Sequence, residues 1–250
     1  MNFVDRTAPE LAALDPDTVI VLPLGSIEQH GPHLPVSTDL TVASAVASAA
    51  VPLARTQGAD ALLLPPLAYT KSDEHAWSPG TIWVSWDTLM RTLVDIGRSI
   101  ATTPARRLLL LNAHGGNSAL GQVACRELRR EFGLRTFLAH PSMPGSSSSA
   151  SELGLGIHGG HSETSIMLHL RPDLVHLEHA RRWVPEPLAG YEHIGFGKPV
   201  SFGWLSSDFN ADGVLGDAST ATAEYGEQLF ERAVGTMASV IGEAQRFSPR

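Results

Sequence analysis

The chain has 250 residues, 43% of them hydrophobic and 18% charged, with a formal net charge of -8; this is the profile of a folded chain with one large core, and it excludes a disordered, collagenous or coiled-coil protein. A nucleic-acid binder would draw its affinity from Lys and Arg set against phosphates, so the acidic balance argues for no nucleic-acid partner and favours small or peptidic ligands. The lone cysteine, Cys125, permits neither an internal disulfide nor a thiolate metal site. Asp5, Glu10, Asp15 and Asp17 do not suit an export signal, and no apolar run reaches the roughly 20 residues of a membrane span. A cytoplasmic protein with no membrane partner is expected.

In chain order, TVIVLPL (18–24) is a β-branched run ending at Gly25, a buried strand feeding a loop. Thr38 and Asp39 precede a small-residue helix, where a short oxygen-bearing side chain also serves as a cap. Residues 62–64 form a further strand, and DTLMRTLVDIGRSIA (87–101) has helical spacing through Leu89, Leu93, Ile96 and Ile100. RRLLLLNAHGG is a strand entering a glycine turn, Leu120, Val123, Ala124 and Leu128 line a helix, and RTFLAH is a strand. Residues 141–156, serine-rich and without periodicity, are expected to be a mobile loop or lid. Residues 164–170 suit a short helix, 184–216 are Gly/Pro-rich and irregular, and Phe230, Val234, Met237 and Ile241 mark a terminal helix. Alternating elements with non-alternating apolar strands predict one α/β domain with a mainly parallel sheet covered on both faces. Ligands gather outside the carboxyl ends of such strands.

The polar clusters fall at those ends. In GSIEQHGPHLPVSTD, Glu28 and His30 are two apart and face one side of an extended backbone. Asp39 follows, His114 sits in NAHGGN, and HGGHSETS carries His158, His161 and Glu163. Imidazole and carboxylate donors without thiolate suit zinc, manganese or ferrous iron, and a carboxylate-rich set suits two ions bridged by one acid. His33 shares the first of these Gly-flanked segments, and His140, His169, His176, His179 and His193 are read as structural or surface groups. GLGIHG (154–159) has the G-x-G-x-x-G spacing of a dinucleotide-binding oxidoreductase but follows a serine-rich loop instead of a strand. Neither Ser26 nor Ser162 lies in a G-x-S-x-G elbow.

GSIEQHGPHLPVSTD, SDEHAWSPGT, NAHGGN and HGGHSETS, in this order across residues 18–170, resemble the creatininase family of metal-dependent amidohydrolases, with GWLSSDFNADGVLGDAS as a family-like tail. The resemblance implies a single-domain α/β/α sandwich over residues 1–250 and a homo-oligomer, hexameric in creatininase. It implies Glu28, His30, Asp39 and His114 as ligands of two divalent ions (zinc, iron(II) or manganese), with Asp39 bridging and His158 as proton-shuttling histidine. Creatininase has an acid two residues after the His114 equivalent; here that position is Gly116, and Glu163 is the donor expected in its place. The WSPGT and GWLSSDF variants resemble members that trim a modified precursor peptide, implying a peptide substrate cut to release a carboxyl-terminal dipeptide, Val-Tyr. A small cyclic amide or formamide is the alternative. His75 and Trp77 are expected at the pocket wall against substrate. Lys71, one of two lysines with Lys198, is a candidate partner for the substrate carboxylate, and Trp183 and Trp204 are candidate interface anchors.

Overall fold

The computed structural model describes residues 1–141 and 149–249. After a short helix α1 (Ala8–Ala12), strand β1 (Val19–Leu24) enters the centre of the molecule, followed by α2 (Thr38–Thr56), β2 (Ala61–Leu63), α3 (Trp86–Ile100), β3 (Arg107–Asn112), α4 (Ser118–Phe132) and β4 (Arg135–Ala139). Then come α5 (His161–Leu170), the two-residue strands β5 (Arg182–Trp183) and β6 (Gly216–Asp217), and α6 (Ala223–Arg246). The main sheet has order β2-β1-β3-β4 and all its pairings are parallel. Four segments expected as strands are these four strands, with boundaries shifted by a residue or two. The α5 helix begins earlier than residue 164, at His161, and α2 runs through Pro52.

Side-chain alternation along β1 and β3 splits the core into two layers. Val19, Val21, Leu109 and Leu111 face α2 and α6, meeting Val46, Ala50, Met237 and Ile241. Ile20, Leu22, Leu108 and Leu110 face α3 and α4, meeting Leu89, Leu93, Ala124 and Leu128. Both faces of the strands are therefore dry, which is why their sequences are continuous apolar runs. The small side chains of α2 (Ala43, Ala47, Ala50, Ala54) are buried and let that helix lie close against the sheet and α6.

At the start of β3, Arg107 is buried, and its guanidinium donates to Asp17 Oδ1 (2.6 Å) and to the carbonyls of Ala244 (2.7 Å) and Phe247 (2.9 Å). It fastens the end of α6 beneath the sheet. Of the serine-rich stretch, residues 142–148 lie outside the described residues, so the lid reading there has no structural counterpart. The stretch that follows is ordered by a carboxylate. Glu152 is buried, and its Oε1 accepts from the backbone N–H of Asp217 (2.7 Å) and of His161 (2.9 Å). A Cβ added at Gly156, Gly160 or Gly216 would come within 2.3, 2.4 or 2.7 Å of that carboxyl group. Residues 184–216 are irregular apart from short 3-10 turns, and Trp204 packs there against Phe196 and Phe209. Trp183 is 40% exposed. Among the described residues, no helix is long and apolar enough to cross a membrane.

The α5–α6 crossing is a close backbone approach, because a Cβ at Gly226 would lie 1.9 Å from the Ser165 carbonyl oxygen. That obstacle is backbone and cannot swing aside. Gly226→Ala should therefore separate the two helices and cost about 1–3 kcal/mol or more of folding free energy, read from the midpoint of urea unfolding; an unchanged midpoint would show that the crossing is not held by that contact.

Candidate metal centre

The site stands at the carboxyl ends of β1 and β3. Gly25, just past β1, makes the crossing possible, since a Cβ there would lie 2.5 Å from Leu40 Cα. The absence of that carbon brings the β1 exit, with Glu28 and His30, against the first turn of α2, with Asp39. Asparagine amides lock the β3 exit to the same place. Asn117 Nδ2 donates to Asn112 Oδ1 (3.2 Å) and to the Gly25 carbonyl (3.3 Å), and Asn112 Nδ2 donates to the His114 carbonyl (2.7 Å). On the far side, His33 Nε2 meets Gly159 O (3.0 Å) and Thr164 Oγ1 (3.0 Å), and Gly159 N–H donates to Glu163 Oε2 (2.6 Å).

Asp39 faces two imidazoles at once. Its Oδ1 is 3.2 Å from His30 Nε2 and its Oδ2 is 2.9 Å from His114 Nδ1. Glu28 Oε2 lies 3.2 Å from His114 Nδ1 and Glu28 Oε1 lies 3.9 Å from His30 Nε2. Glu163 Oε2 approaches His30 Nε2 to 3.9 Å, and its side chain is 31% exposed while the others are buried. The outward ring nitrogens are oriented by carbonyls: His30 Nδ1 donates to Glu28 O (3.1 Å) and His114 Nε2 donates to Lys71 O (2.7 Å). Because a carbonyl only accepts, the N–H of each neutral ring points outward and a lone pair points into the cluster.

The cluster has the chemistry of a cation site. His30 Nε2 and Asp39 Oδ2 are buried without a hydrogen-bond partner, although opposite charges stand close by. Ligand atoms about 2.0–2.1 Å from a tetrahedral zinc are themselves about 3.3 Å apart, and the N···O separations here bracket that value. Among the described residues, Glu28–Asp39–His114, His30–His158–Glu163 and Glu28–His75–His158 each bring three ligand atoms within 4.8 Å of one another. The residues present fit divalent ions.

The electrostatics agree. Burial opposes charge on His30, but Asp39, Glu163 and Glu28 outweigh it and push the imidazole up to about 10. His114 is raised well above its ordinary value against the same burial, by Glu28 and Asp39. Burial also disfavours an ionised Asp39, yet His30 and His114 hold it far below the usual carboxylate range. Glu163 goes the other way, because burial, reinforced by Asp39 and Glu28, pushes it up to about 7 despite His30. The cluster attracts positive charge in whatever form is available.

His75 and His158 complete one wall, their rings stacked at 4.1 Å, with His158 4.3 Å from His30. Burial, reinforced by the charge on His30, lowers His75 to about 3 and His158 well below its ordinary value. Each presents one nitrogen to Glu28 Oε1, His75 Nε2 at 3.7 Å and His158 Nδ1 at 3.6 Å. Trp77 is 40% exposed, and its Nε1–H donates to Ser206 Oγ (2.8 Å). Lys71 is not a bare cation: its ammonium is shared between Asp73 Oδ1 (2.6 Å) and Glu74 Oε2 (2.9 Å). His161, the other histidine of HGGHSETS, stands apart on α5 beside Thr220 and Tyr225.

Three neighbours escaped sequence reasoning. Ser72 Oγ donates to Glu28 Oε2 (2.5 Å). Gln29 lies between His75 and His158. Glu74 fills the space left by Gly116, where an added Cβ would lie 1.9 Å from Glu74 Oε1, so a carboxylate does stand beside that glycine, supplied from another segment. Ser72 and Glu74 flank His75 in the SDEH run (72–75), whereas Gln29 lies between the two ligand positions of GSIEQHG.

The sequence profile of the creatininase family, described as creatinine amidohydrolase, matches residues 4–241. The chain belongs to the creatininase family. It is 35% identical over 237 residues to a mycofactocin precursor peptide peptidase of Mycolicibacterium smegmatis, covering 94% of this chain and 88% of that one. Its fold matches a mutant creatininase of Zn–Zn type with TM-score 0.75 and 29% identity, and a manganese creatininase with TM-score 0.75 and 30% identity, each over 98% of both chains. As a creatininase-family chain it is a metal-dependent hydrolase of C–N bonds.

His33 ties this site's two glycine loops together while neutral. Burial, with the charge on His30 adding to it, lowers its pKa to about 4 against the pull of Gly159 O. An unfolded histidine takes up its proton near pH 6.5 and the folded one does not, so acid favours unfolding. Between pH 6.5 and 4 this one group should remove about 1.4 kcal/mol of stability per pH unit. Urea unfolding across that range should show a shallower acid loss for His33→Gln than for the parent chain; equal slopes would remove His33 from the account.

Proposed function

We propose that this chain is a dinuclear-metal peptidase that releases a carboxyl-terminal dipeptide, Val-Tyr, from the mycofactocin precursor peptide. The observation that carries the hydrolytic half of the reading is Asp39, whose two oxygens each face a different imidazole within a buried ring of carboxylates. The relative with 35% identity over 94% of the chain supports the peptide half. So does the absence of an acid at Gly116, where creatininase carries one.

Glu28, Asp39 and His114 would hold one ion, and His30 and Glu163, with Asp39 shared, would hold the other. Their oxygen and imidazole donors accept zinc, iron(II) or manganese, and structures of Zn–Zn and manganese creatininases lie among the chain's structural relatives. When bound, such ions acidify a water to make a nucleophile at neutral pH and polarise the scissile carbonyl. The protein's own part is positional and protic. His158 is neutral, buried and directed into the site through Nδ1, so it takes up a proton during attack and delivers it to the amide nitrogen, which otherwise leaves poorly. Ser72 steadies Glu28. His75 and Trp77 form the wall that contacts the peptide. Lys71, already paired with Asp73 and Glu74, meets the peptide's terminal carboxylate as part of that ion-pair group and not as an isolated cation. The whole chain acts as one domain in the cytoplasm, in a homo-oligomer, hexameric as in creatininase.

Asp39→Ala should lose both ions and Glu163→Ala one, measured by elemental analysis of purified protein; retention of both ions by Asp39→Ala would remove the bridge. His158→Ala should keep its metal and lose about 10²- to 10⁴-fold in turnover, read by mass spectrometry as dipeptide release from the precursor peptide. Turnover of a small cyclic amide alone, under the same metal loading, would replace the peptidase with a creatininase-like amidohydrolase.

A further inference from the structure

Gln29 sits between the two metal-ligand positions Glu28 and His30, yet its side chain turns away from them and is buried. Two backbone groups settle which end of its amide is which. Gln29 Oε1 accepts from Gly31 N–H (2.8 Å), and Gln29 Nε2 donates to Gly213 O (3.1 Å). A backbone N–H cannot accept and a carbonyl cannot donate, so the flipped amide is excluded. The same Nε2 lies 2.9 Å from His75 Nδ1 and 3.2 Å from His158 Nε2.

The two imidazoles can now be assigned in turn. His158 Nε2 is 2.7 Å from the backbone carbonyl of Gln29 itself, an acceptor, so this nitrogen carries the N–H. Its partner Nδ1, the atom that faces Glu28 and the site, is bare. Having a hydrogen of its own, His158 Nε2 cannot also accept from the Gln29 amide. The amide's two hydrogens therefore go to Gly213 O and His75 Nδ1. His75 Nδ1 is the acceptor, and the N–H of that ring is on Nε2, which faces the site 3.7 Å from Glu28 Oε1. One residue thus orients both rings, His158 through its main chain and His75 through its side chain. Gly213 admits this arrangement because it has no Cβ: one would lie 2.6 Å from Gln29 Nε2 and 2.7 Å from Trp77 Cζ2.

We propose that Gln29 is the positioning residue that makes the stacked pair His158 and His75 complementary, so that His158 meets the substrate as a proton acceptor and His75 as an N–H donor. This rests on the hydrolase reading above and adds to it a donor for the peptide's acceptor atoms beside the proton carrier. Sequence spacing does not reveal it, because a glutamine between two ligand positions reads as filler.

The zinc-loaded full chain with 15N-labelled histidine tests it directly. Side-chain nitrogen shifts should show Nε2–H on both His75 and His158. Gln29→Glu, whose carboxylate accepts but cannot donate, should move the His75 proton to Nδ1 and leave His158 unchanged. Gln29→Met should keep its zinc content and lose about 10- to 100-fold in peptide turnover, the usual cost of removing a group that orients a functional histidine. In a His75→Phe background the same change should cost about twofold or less, because the two losses are one. Nδ1–H on His75 in the parent chain, wild-type turnover of Gln29→Met, loss of its zinc, or a full additional cost in the His75→Phe background would each overturn the proposal. Failure of the hydrolase reading looks different: the zinc-loaded parent chain would then release no dipeptide and hydrolyse no small amide, whatever the nitrogen shifts report.

Discussion

Glu28, Asp39 and Glu163 converge on one small, largely dry volume, and the balance of that negative charge organises the site. Like charges a few ångström apart in a medium that screens poorly repel by several kcal/mol, and burial adds a desolvation cost for each. Such a cluster persists only if positive charge is held within it. His30 and His114 are raised toward the charged form by these acids, and the same geometry presents ligand atoms at the spacing a divalent ion imposes. The second pair, His75 and His158, approaches Glu28 to 3.7 and 3.6 Å but forms no close ion pair with Asp39 among the described residues, and burial with the charge on His30 drives it neutral. Close pairing with Asp39 thus sorts these four buried imidazoles into two kinds, those that share positive charge with the carboxylates and those that stay neutral.

The fold serves this charge cluster by bringing chain segments together at the ends of parallel strands. The two central strands, β1 and β3, are buried on both faces, so neither can twist or slip without exposing apolar surface, and their exits are fixed with respect to each other. What remains is to bend the chain sharply at those exits, which Gly25 permits, and to satisfy the backbone there, which Asn112 and Asn117 accomplish. The rigidity of the ligand set is therefore inherited from the core.

The sheet and the helices were legible because buried parallel strands and amphipathic helices have distinct periodicities. The motif segments could be recognised at once, since Glu28, His30, His114 and Glu163 are unusual residues in glycine-flanked runs at strand ends. Asp39 was harder: as an acid in the first turn of a helix it serves a cap equally well, and only the crossing at Gly25 brings it to the cluster. Gln29, Ser72 and Glu74 were not legible at all. Their roles come from contacts across 44 to 184 positions of sequence or from a neighbour's missing side chain, and neither leaves a local pattern. Lys71 is the converse case, since rarity drew notice to a side chain whose ammonium is shared with Asp73 and Glu74, contacts that composition does not reveal.

The buried carboxylate of Glu152 carries a consequence for how this sequence can drift. Gly156, Gly160 and Gly216 are not at independent positions, because each is kept free of a Cβ by the same carboxyl group. A change at any one of them displaces Glu152 from the two N–H groups it accepts from, and so disturbs the turn into α5 and the loop that carries His158. Conversely, a descendant that lost the acid would free Gly156 while leaving two donors unpaired, but Gly216 would still be held by the backbone of Gly160, whose Cα lies 2.5 Å from where a Cβ at Gly216 would stand. Inheritance in this segment should therefore proceed by blocks, Gly156 tied to Glu152 and Gly160 and Gly216 tied to each other as well, and the glycine richness of the region is the imprint of one acidic side chain and one backbone crossing more than of a need for supple backbone.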